Sequence, residues 1–153
     1  MKTLRIILNI LSISLCVVSC EGNYYIENDL HGMWQVMSVE RHSTDEVIKS
    51  HGDLYYMFQR SMVFLYYKPP QTHIDKARYI THFDIVSPDS IGMGDFRYYT
   101  TGEGDLVNDE DKIPLNNLYK FGIYQNYTMF QMRHSRQELV LNSDSACVIM
   151  RKY

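Results

Sequence analysis

The sequence predicts an all-β fold, a seven- to eight-stranded antiparallel barrel whose strands run up and down in chain order. Tyrosine and phenylalanine are frequent, 13 and 6 of 153 residues, and aromatic side chains favour the half-buried surface of a strand. Beyond residue 30 the chain consists of short apolar runs separated by turn residues, as expected of successive strands. No run has the length and period of a substantial helix. A two-sheet sandwich is the alternative arrangement.

Composition and charge limit the classes of protein to which the chain can belong. The hydrophobic content of 45% and the charged content of 22% are typical of a globular protein, and the length suits one domain with its own core. The formal net charge is −3, and the lysines and arginines form no cluster. Because nucleic-acid binding depends on a basic surface, we expect no nucleic-acid partner.

Residues 1–20 have the pattern of an export signal. Lys2 and Arg5 form a positively charged head, and residues 6–18 form an apolar run with three polar interruptions. This run is shorter than the roughly 20 residues that a membrane-spanning helix needs, so it fits the central part of a secretory signal. A signal cut by the ordinary signal peptidase and an uncut signal anchor are the alternatives.

The end of this segment resembles a bacterial lipobox. Val17-Val18-Ser19-Cys20 places two aliphatic residues and a small residue before a cysteine. The resemblance implies that the signal is removed before Cys20 and that the cysteine sulfur carries acyl chains such as palmitate, which together form a permanent membrane anchor. Glu21 follows instead of Asp, which favours the outer membrane. The predicted organisation is a signal peptide at 1–19, a lipidated cysteine and tether at 20–29, and a barrel domain at 30–153.

Cysteine usage agrees with a lipid anchor. Cys16 leaves with the predicted signal and Cys20 becomes the anchor, so Cys147 is the remaining cysteine. The mature chain then has no intramolecular disulfide, and its core must hold the fold. Cys147 lies in an apolar run and is expected to be a small buried residue, because no neighbouring base is indicated that would make it a catalytic thiol.

The first predicted strand covers residues 33–41. Its alternation places Trp34, Val36 and Ser38 on one face. Both faces carry apolar residues, as expected where one face lines a barrel and the other meets a neighbouring element. We expect Trp34 to fill the floor of the barrel because of its size.

The stretch 54–67 is rich in aromatic residues and contains no Gly, Pro, Asn or Asp. Because nothing in it forces a turn, we predict one long bent strand, with two paired strands as the alternative. Pro69 and Pro70 end the stretch, since proline cannot donate a hydrogen bond to a strand ladder.

Residues 76–86 and 91–100 are predicted as the next two strands, separated by a turn at 88–90. Gly92 and Gly94 indicate a bulge or a tight bend in the second of them. Both features are expected in a small barrel.

The last third of the chain begins with an acidic loop at 101–114. Residues 115–124 are predicted as a short helical turn that reverses at Gly122 and continues as a strand. Three strands then form a meander at 127–134, 138–142 and 146–153, with connectors short enough for hairpins. The total is seven or eight sequential strands.

Short sequence features in a fixed order resemble a known family. They are Leu30-His31-Gly32-Met33-Trp34, Phe58-Gln59, Phe121-Gly122-Ile123 and, near the end, residues 130–134, Glu138-Leu139-Val140-Leu141 and Arg151-Lys152-Tyr153. With the lipobox, they are similar to the lipocalin-like lipoproteins of Bacteroidetes over nearly the whole mature chain. The resemblance implies a small calycin-type barrel and the binding of small molecules. It implies no catalytic residues.

Residue spacing indicates neither a catalytic nor a metal site. The six histidines are scattered, and no pair has the spacing of a zinc site. The loop 101–114 lacks the calcium-loop pattern, and we expect it to be solvated. His82 and Asp84 share a strand face, where we favour polar pairing at the rim over acid–base chemistry. We therefore predict a protein that is not an enzyme and has no cofactor or metal.

The aromatic face of the stretch 54–67 supplies candidate ligand contacts. Arg60 is the single charge on the face that holds Tyr56, Phe58 and Phe64. If this face lines a cavity, Arg60 can bind a carboxylate or phosphate head group among aromatic walls. In the alternative, the strand bends there and Arg60 points to water. The predicted ligand-binding residues are Trp34, Tyr56, Phe58, Arg60 and Phe64.

Together these observations predict a lipid-anchored protein of the cell envelope, in the outer membrane, whose barrel binds a small apolar or amphipathic molecule. The alternative is a protein–protein interaction module without a small-molecule ligand. In that case the barrel exterior or the loop 101–114 contacts another envelope protein.

Overall fold

The computed structural model describes residues 29–67, 76–98 and 113–153. Its strands are β1 (Gly32–Arg41), β2 (Glu46–Lys49), β3 (Leu54–Gln59), β4 (Met62–Tyr67), β5 (Lys76–Ser87), β6 (Ser90–Gly94), β7 (Arg97–Tyr98), β8 (Tyr127–His134), β9 (Glu138–Asn142) and β10 (Ala146–Lys152). Two 3₁₀ turns, η1 (Leu115–Asn117) and η2 (Tyr119–Phe121), precede β8. The predicted signal peptide, Cys20, Pro69, Pro70 and residues 101–112 of the acidic loop lie outside the described residues.

Eight of the strands form a closed antiparallel barrel. The pairing order is β1, β3, β4, β5, β6, β8, β9 and β10, and β10 pairs again with β1. The closing ladder runs from Trp34 opposite Lys152 to Arg41 opposite Ala146. β2 pairs with the second half of β1, and the two-residue β7 pairs with β5. The predicted up-and-down barrel is therefore confirmed, and the sandwich alternative is wrong, because the first and last strands share one sheet.

A bulge in β1 changes which residues face the core. The ladder with β10 shifts register between Val36 and Ser38, and Val39 is fully buried whereas Met37 is exposed. The predicted placement of Ser38 on the inner face with Trp34 is wrong, since one inserted residue reverses the alternation beyond it.

The stretch 54–67 is a tight hairpin. Gln59 pairs with Met62, so Arg60 and Ser61 form a two-residue turn, and Arg60 adopts a positive φ of 55°. The prediction of one bent strand is wrong, and the alternative of two paired strands is correct. A two-residue hairpin turn usually uses Asn or Gly because of its positive φ. Arg60-Ser61 contains neither residue, so no turn signal marks this position.

The predicted strand at 91–100 is interrupted. β6 ends at Gly94, and Asp95 adopts a positive φ of 49° before the short β7. A Cβ atom at Gly94 would collide with the backbone of Asn126 and Tyr127. The glycine therefore allows the chain before β8 to cross close to the end of β6.

The segment before β8 is more irregular than predicted. The predicted helical turn is present as η1 and η2, and the reversal at Gly122 is confirmed, with a φ of 76°. Residues 123–126 are not a strand, so that part of the prediction is wrong. Ile123 is fully buried, because this segment packs its apolar side chains down onto the barrel instead of pairing at an edge.

The interior of the barrel is filled by large side chains. Trp34, Tyr56, Phe58 and Phe130 are essentially inaccessible to solvent and belong to one continuous cluster. Trp34 lies at the end where β1 begins, and its Nε1 donates a 2.7 Å hydrogen bond to the carbonyl oxygen of Leu30. This is the core position expected for the floor of the barrel.

The two ends of the barrel differ. The end near Trp34 has the short β3–β4, β5–β6 and β8–β9 turns, and we call it the closed end. At the opposite end, which we call the mouth, residues 113–126 lie across the barrel and bury Ile113, Leu118 and Phe121. In the part of the chain that the structure describes, no helix is long and apolar enough to cross a membrane.

Candidate functional site

A cavity of about 320 Å³ lies at the mouth between the two 3₁₀ turns and the ends of β3, β4 and β5. We call it the mouth pocket. Its described lining residues are Leu54, Tyr67, Tyr79, Asn116, Asn117, Tyr119, Lys120 and Phe121. The volume lies within the range of small-molecule sites, so the pocket has the capacity for a compact ligand.

The floor of the mouth pocket is fixed by hydrogen bonding and aromatic packing. The hydroxyl of Tyr56 donates a hydrogen bond to the carbonyl oxygen of Phe121. The Phe121 ring makes edge contacts with the rings of Tyr56 and Tyr79, with centroid distances of 6.0 and 6.2 Å. Burial raises the pKa of Tyr56 well above its ordinary value. The floor is therefore an uncharged aromatic layer that ties η2 to the barrel wall.

The rim of the mouth pocket is polar. Asn116, Asn117, Tyr119 and Lys120 are exposed side chains of the 3₁₀ turns. The ammonium of Lys120 lies 6.0 Å from the centre of the Tyr119 ring. The Asn117 amide donates a long hydrogen bond of 3.4 Å to the hydroxyl of Tyr98. The rim therefore offers hydrogen-bond donors and acceptors above an aromatic wall.

The described lining of the mouth pocket carries one positive charge. This described lining includes the ammonium of Lys120 and no carboxylate. This contrasts with the formal charge of −3 of the whole chain. An anionic group of a ligand would therefore meet a favourable partner at this rim.

Three of the five predicted ligand contacts lie in the core beneath the mouth pocket. Trp34, Tyr56 and Phe58 are buried, and none of them is among the described residues that line the pocket. Tyr56 stacks on Phe58 with a centroid distance of 6.0 Å and reaches the pocket through its bond to Phe121. The structure thus places Tyr56 as support for the pocket, and Phe58 and Trp34 deeper in the core.

The other two predicted contacts do not share this interior. Arg60 is exposed in the β3–β4 turn at the closed end. Phe64 is half-buried, with its ring 6.3 Å from that of Tyr66, while the neighbouring Val63 and Leu65 face the core. The expected common face is wrong for Arg60 and Phe64, because the hairpin turn interrupts the alternation between them. The alternative in which Arg60 points to water is correct.

His82 and Asp84 line a second cavity on the outside of the barrel. We call this depression of about 370 Å³ the outer-wall groove; its described lining residues are Met62, Ile80, Thr81, His82, Asp84, Gly94, Asp95, Arg97 and Tyr127. His82 and Asp84 are both exposed there. In the described ranges no group of three or more His, Cys, Asp or Glu side chains is arranged to hold a metal ion.

Cys147 is half-buried on β10. Burial raises the pKa of its thiol, and the carboxylate of Glu40 raises it further. A raised pKa reduces the thiolate fraction, so this environment suits a structural residue better than a nucleophile.

The rim residues Asn116, Asn117, Tyr119 and Lys120 were not predicted from the sequence. They lie in a segment with neither strand nor helix periodicity. The one available signal was the concentration of amide and aromatic side chains between two apolar barrel segments, which does not by itself indicate which part of the barrel they face.

The fold and the pocket define a class, that of small closed antiparallel barrels with a cavity at one end. The lipocalin-like domain family matches residues 14–153, and the chain belongs to this family. No curated protein matches the sequence significantly.

Two solved structures are similar in fold. A lipocalin-like protein from Bacteroides uniformis is 18% identical, with a TM-score of 0.54 over 82% of this chain and 99% of that one. An uncharacterized protein from Bacteroides eggerthii is 16% identical, with a TM-score of 0.55 over 81% of this chain and 99% of that one. At these identities the likeness concerns the fold alone.

Proposed function

We propose that this chain is a lipid-anchored protein of the cell envelope that binds a small amphipathic molecule in the mouth pocket and is not an enzyme. The observation that carries the proposal is the pocket itself, in which an aromatic floor formed by Tyr79 and Phe121 faces a polar rim on the 3₁₀ turns. Such a combination of apolar walls and a few polar groups is typical of ligand sites.

The packed core argues against a long apolar ligand. Below the mouth pocket, the described interior is filled by Tyr56, Phe58, Trp34 and Phe130. Close-packed protein cores accommodate additional atoms only at a considerable cost in free energy. A bound molecule is therefore confined to the mouth, where its apolar part contacts the aromatic floor and its polar part reaches the rim.

The anchor and the pocket would lie at opposite ends of the barrel. β1 begins with Gly32 at the closed end, and the eleven residues 21–31 that separate it from Cys20 span at most about 40 Å when extended. A lipid on Cys20 would therefore hold the closed end near the membrane. The mouth would face the aqueous side of the envelope, and the ligand would enter from there.

Native mass spectrometry of the protein purified from its own envelope tests this proposal. We expect the parent protein to carry a small noncovalently bound molecule, and the mass of this molecule should be lost when the protein is unfolded. Tyr119→Ala removes part of the rim and should release the mass. Tyr153→Ala removes a tyrosine that is 71% exposed and is not among the described residues lining the pocket, and it should retain the mass. A mass that is absent, or equal in both variants, contradicts the proposal.

Protein–protein interaction is the second candidate, supported by the outer wall. Val86, Tyr127 and Met129 are exposed large apolar residues on β5 and β8, and Tyr127 also lines the outer-wall groove. Exposed apolar surface of this kind often marks a contact with a partner. In-cell crosslinking distinguishes a partner bound at the outer wall from one bound at the mouth. Met129→Ser should abolish the crosslink to a specific partner if the outer wall is the contact, whereas Tyr119→Ala should abolish it only if the mouth is the contact.

A further inference from the structure

We propose, on the basis of the proposed function, that the ligand of the mouth pocket is a monosaccharide-sized sugar that carries an anionic group. Three properties of the pocket support this class of ligand: its size, its pairing of aromatic rings with side-chain amides, and its charge. The size argues against an extended acyl chain, the lining chemistry against a hydrocarbon, and the charge against an uncharged sugar.

The size of the mouth pocket fits a compact ring. Its volume is about 320 Å³, close to the lower limit of drug-sized sites. Its floor is closed by Phe121 and Tyr79, which are 2% and 8% exposed, and the Tyr56 hydrogen bond holds Phe121 in place. An extended acyl chain would find no channel through the described core, and most of it would remain in water.

The chemistry of the lining fits a polyhydroxylated ring. Tyr67, Tyr79, Tyr119 and Phe121 contribute aromatic rings to the pocket, and the negative face of an aromatic ring attracts the polarised C–H groups of a sugar. The side chains of Asn116 and Asn117 each have an amide N–H₂ that donates and a carbonyl oxygen that accepts. Neighbouring sugar hydroxyls can bind both kinds of group, whereas a hydrocarbon offers these amides no hydrogen-bond partner and displaces their water, which costs free energy.

The charge of the described lining favours an anion. Lys120 contributes an ammonium group, and the described lining of this pocket has no carboxylate. The outer-wall groove differs, because Asp84 and Asp95 line it together with His82 and Arg97. A carboxylate or phosphate on the sugar would therefore meet a cation without a competing carboxylate in the described lining of the mouth pocket, whereas in the groove it would meet both kinds of charge.

A titration of the ¹⁵N-labelled full chain followed by nuclear magnetic resonance tests the inference. The probes are glucuronate, glucose 6-phosphate, glucose and laurate. We expect glucuronate or glucose 6-phosphate to shift the amide signals of residues 116–121 with a Kd at least tenfold below that of glucose. Which of the two binds tighter distinguishes a carboxylate from a phosphate.

Three variants separate the contribution of the charge from that of the side-chain amides. Lys120→Met should remove the preference for the anionic sugar and leave the weak binding of glucose. Asn117→Ala should weaken all three sugars severalfold. Lys49→Met changes an exposed lysine of β2 that is not among the described pocket residues, and it should change nothing.

Several results would overturn the sugar inference. Glucose that binds as tightly as both charged sugars would remove the anionic requirement. Laurate that shifts residues 116–121 while the sugars do not would replace the ligand class and leave the proposed function intact. Silence from all four probes, together with a bound mass on the natively purified protein, would likewise reject the sugar but not the binding role.

Discussion

The ammonium group of Lys152 lies 4.2 Å from the centre of the Trp34 ring and donates a 2.6 Å hydrogen bond to the carbonyl oxygen of His31. One side chain of the last strand thus contacts both Trp34 of the first strand and His31, the residue just before that strand. Burial lowers the pKa of Lys152, and the carboxylate of Asp29 opposes this shift. This arrangement links β10 to the start of β1 at the closed end of the barrel.

Lys152→Met should weaken the closed end. The variant keeps a flexible apolar chain but loses the cation–π contact and the hydrogen bond to His31, which together contribute about 1–2 kcal/mol. Urea unfolding followed through the fluorescence of Trp34 measures the change in the free energy of unfolding. Lys49→Met is the matched control and should be neutral. Equal stability of both variants would show that the contact does not stabilise closure.

Tyr56→Phe should alter the pH dependence of stability. At neutral pH the variant leaves the carbonyl of Phe121 unpaired, and we expect a loss of about 1–2 kcal/mol. Burial raises the pKa of Tyr56 above its ordinary value of 10.0, so above that pH the unfolded state loses a proton that the folded state keeps.

Raising the pH above about 10 therefore favours unfolding of the parent through Tyr56, by up to about 1.4 kcal/mol per pH unit. Phenylalanine lacks this contribution. The stability difference between parent and variant should narrow as urea unfolding is repeated from pH 9 to pH 11. A difference that stays constant over this range would show that Tyr56 ionises equally in both states.

Two buried threonines provide a matched test of polar satisfaction. Thr81 donates a hydrogen bond to the carbonyl oxygen of Gly94, whereas the Thr128 hydroxyl is buried with no hydrogen-bond partner among the described residues. Thr81→Val should cost about 1 kcal/mol, and Thr128→Val should be neutral or stabilise by about as much. Thermal unfolding of both variants decides. Equal destabilisation would mean that a bound water or another group satisfies Thr128.

Cys20→Ser should release the protein from the membrane. Without the thiol no acyl chain can be attached, and the chain loses the anchor that the sequence predicts. Fractionation of the native cells should find the parent in the membrane pellet and the variant outside it. Cys147→Ser, at a half-buried position on β10, is the control and should remain in the pellet. Membrane association of Cys20→Ser would reject the anchor.

The barrel was predictable because its decisive features are local. β8 and β9 have the predicted bounds, since β8 alternates regularly, β9 is a short apolar run, and a few polar residues separate them. The β3–β4 turn and the bulge in β1 were not predicted, because neither has such a local signal. Arg60 adopts a positive φ in a turn without Asn or Gly, and Met37 takes the bulged position of β1, because pairing with neighbouring strands outweighs the weak preferences of single residues.

The candidate site was not predictable from the sequence because it is assembled from distant segments. Leu54 begins β3, Tyr67 ends the adjacent β4, and Tyr79 lies on β5. Asn117 and Lys120, by contrast, come from irregular turns about 40 residues later. Strand register brings the first three together, and the fold of residues 113–126 adds the other two. A sequence pattern that describes one strand at a time carries no information about that meeting point.

The central claim, that the mouth pocket is the binding site, is tested most directly by comparing amide spectra of the protein before and after addition of a small-molecule extract of its own envelope. The account predicts shifts at Asn116, Asn117, Tyr119 and Lys120, with the signals of His82 and Asp84 in the outer-wall groove unchanged. Shifts confined to the outer-wall groove, or no shifts at the four mouth residues, would contradict it.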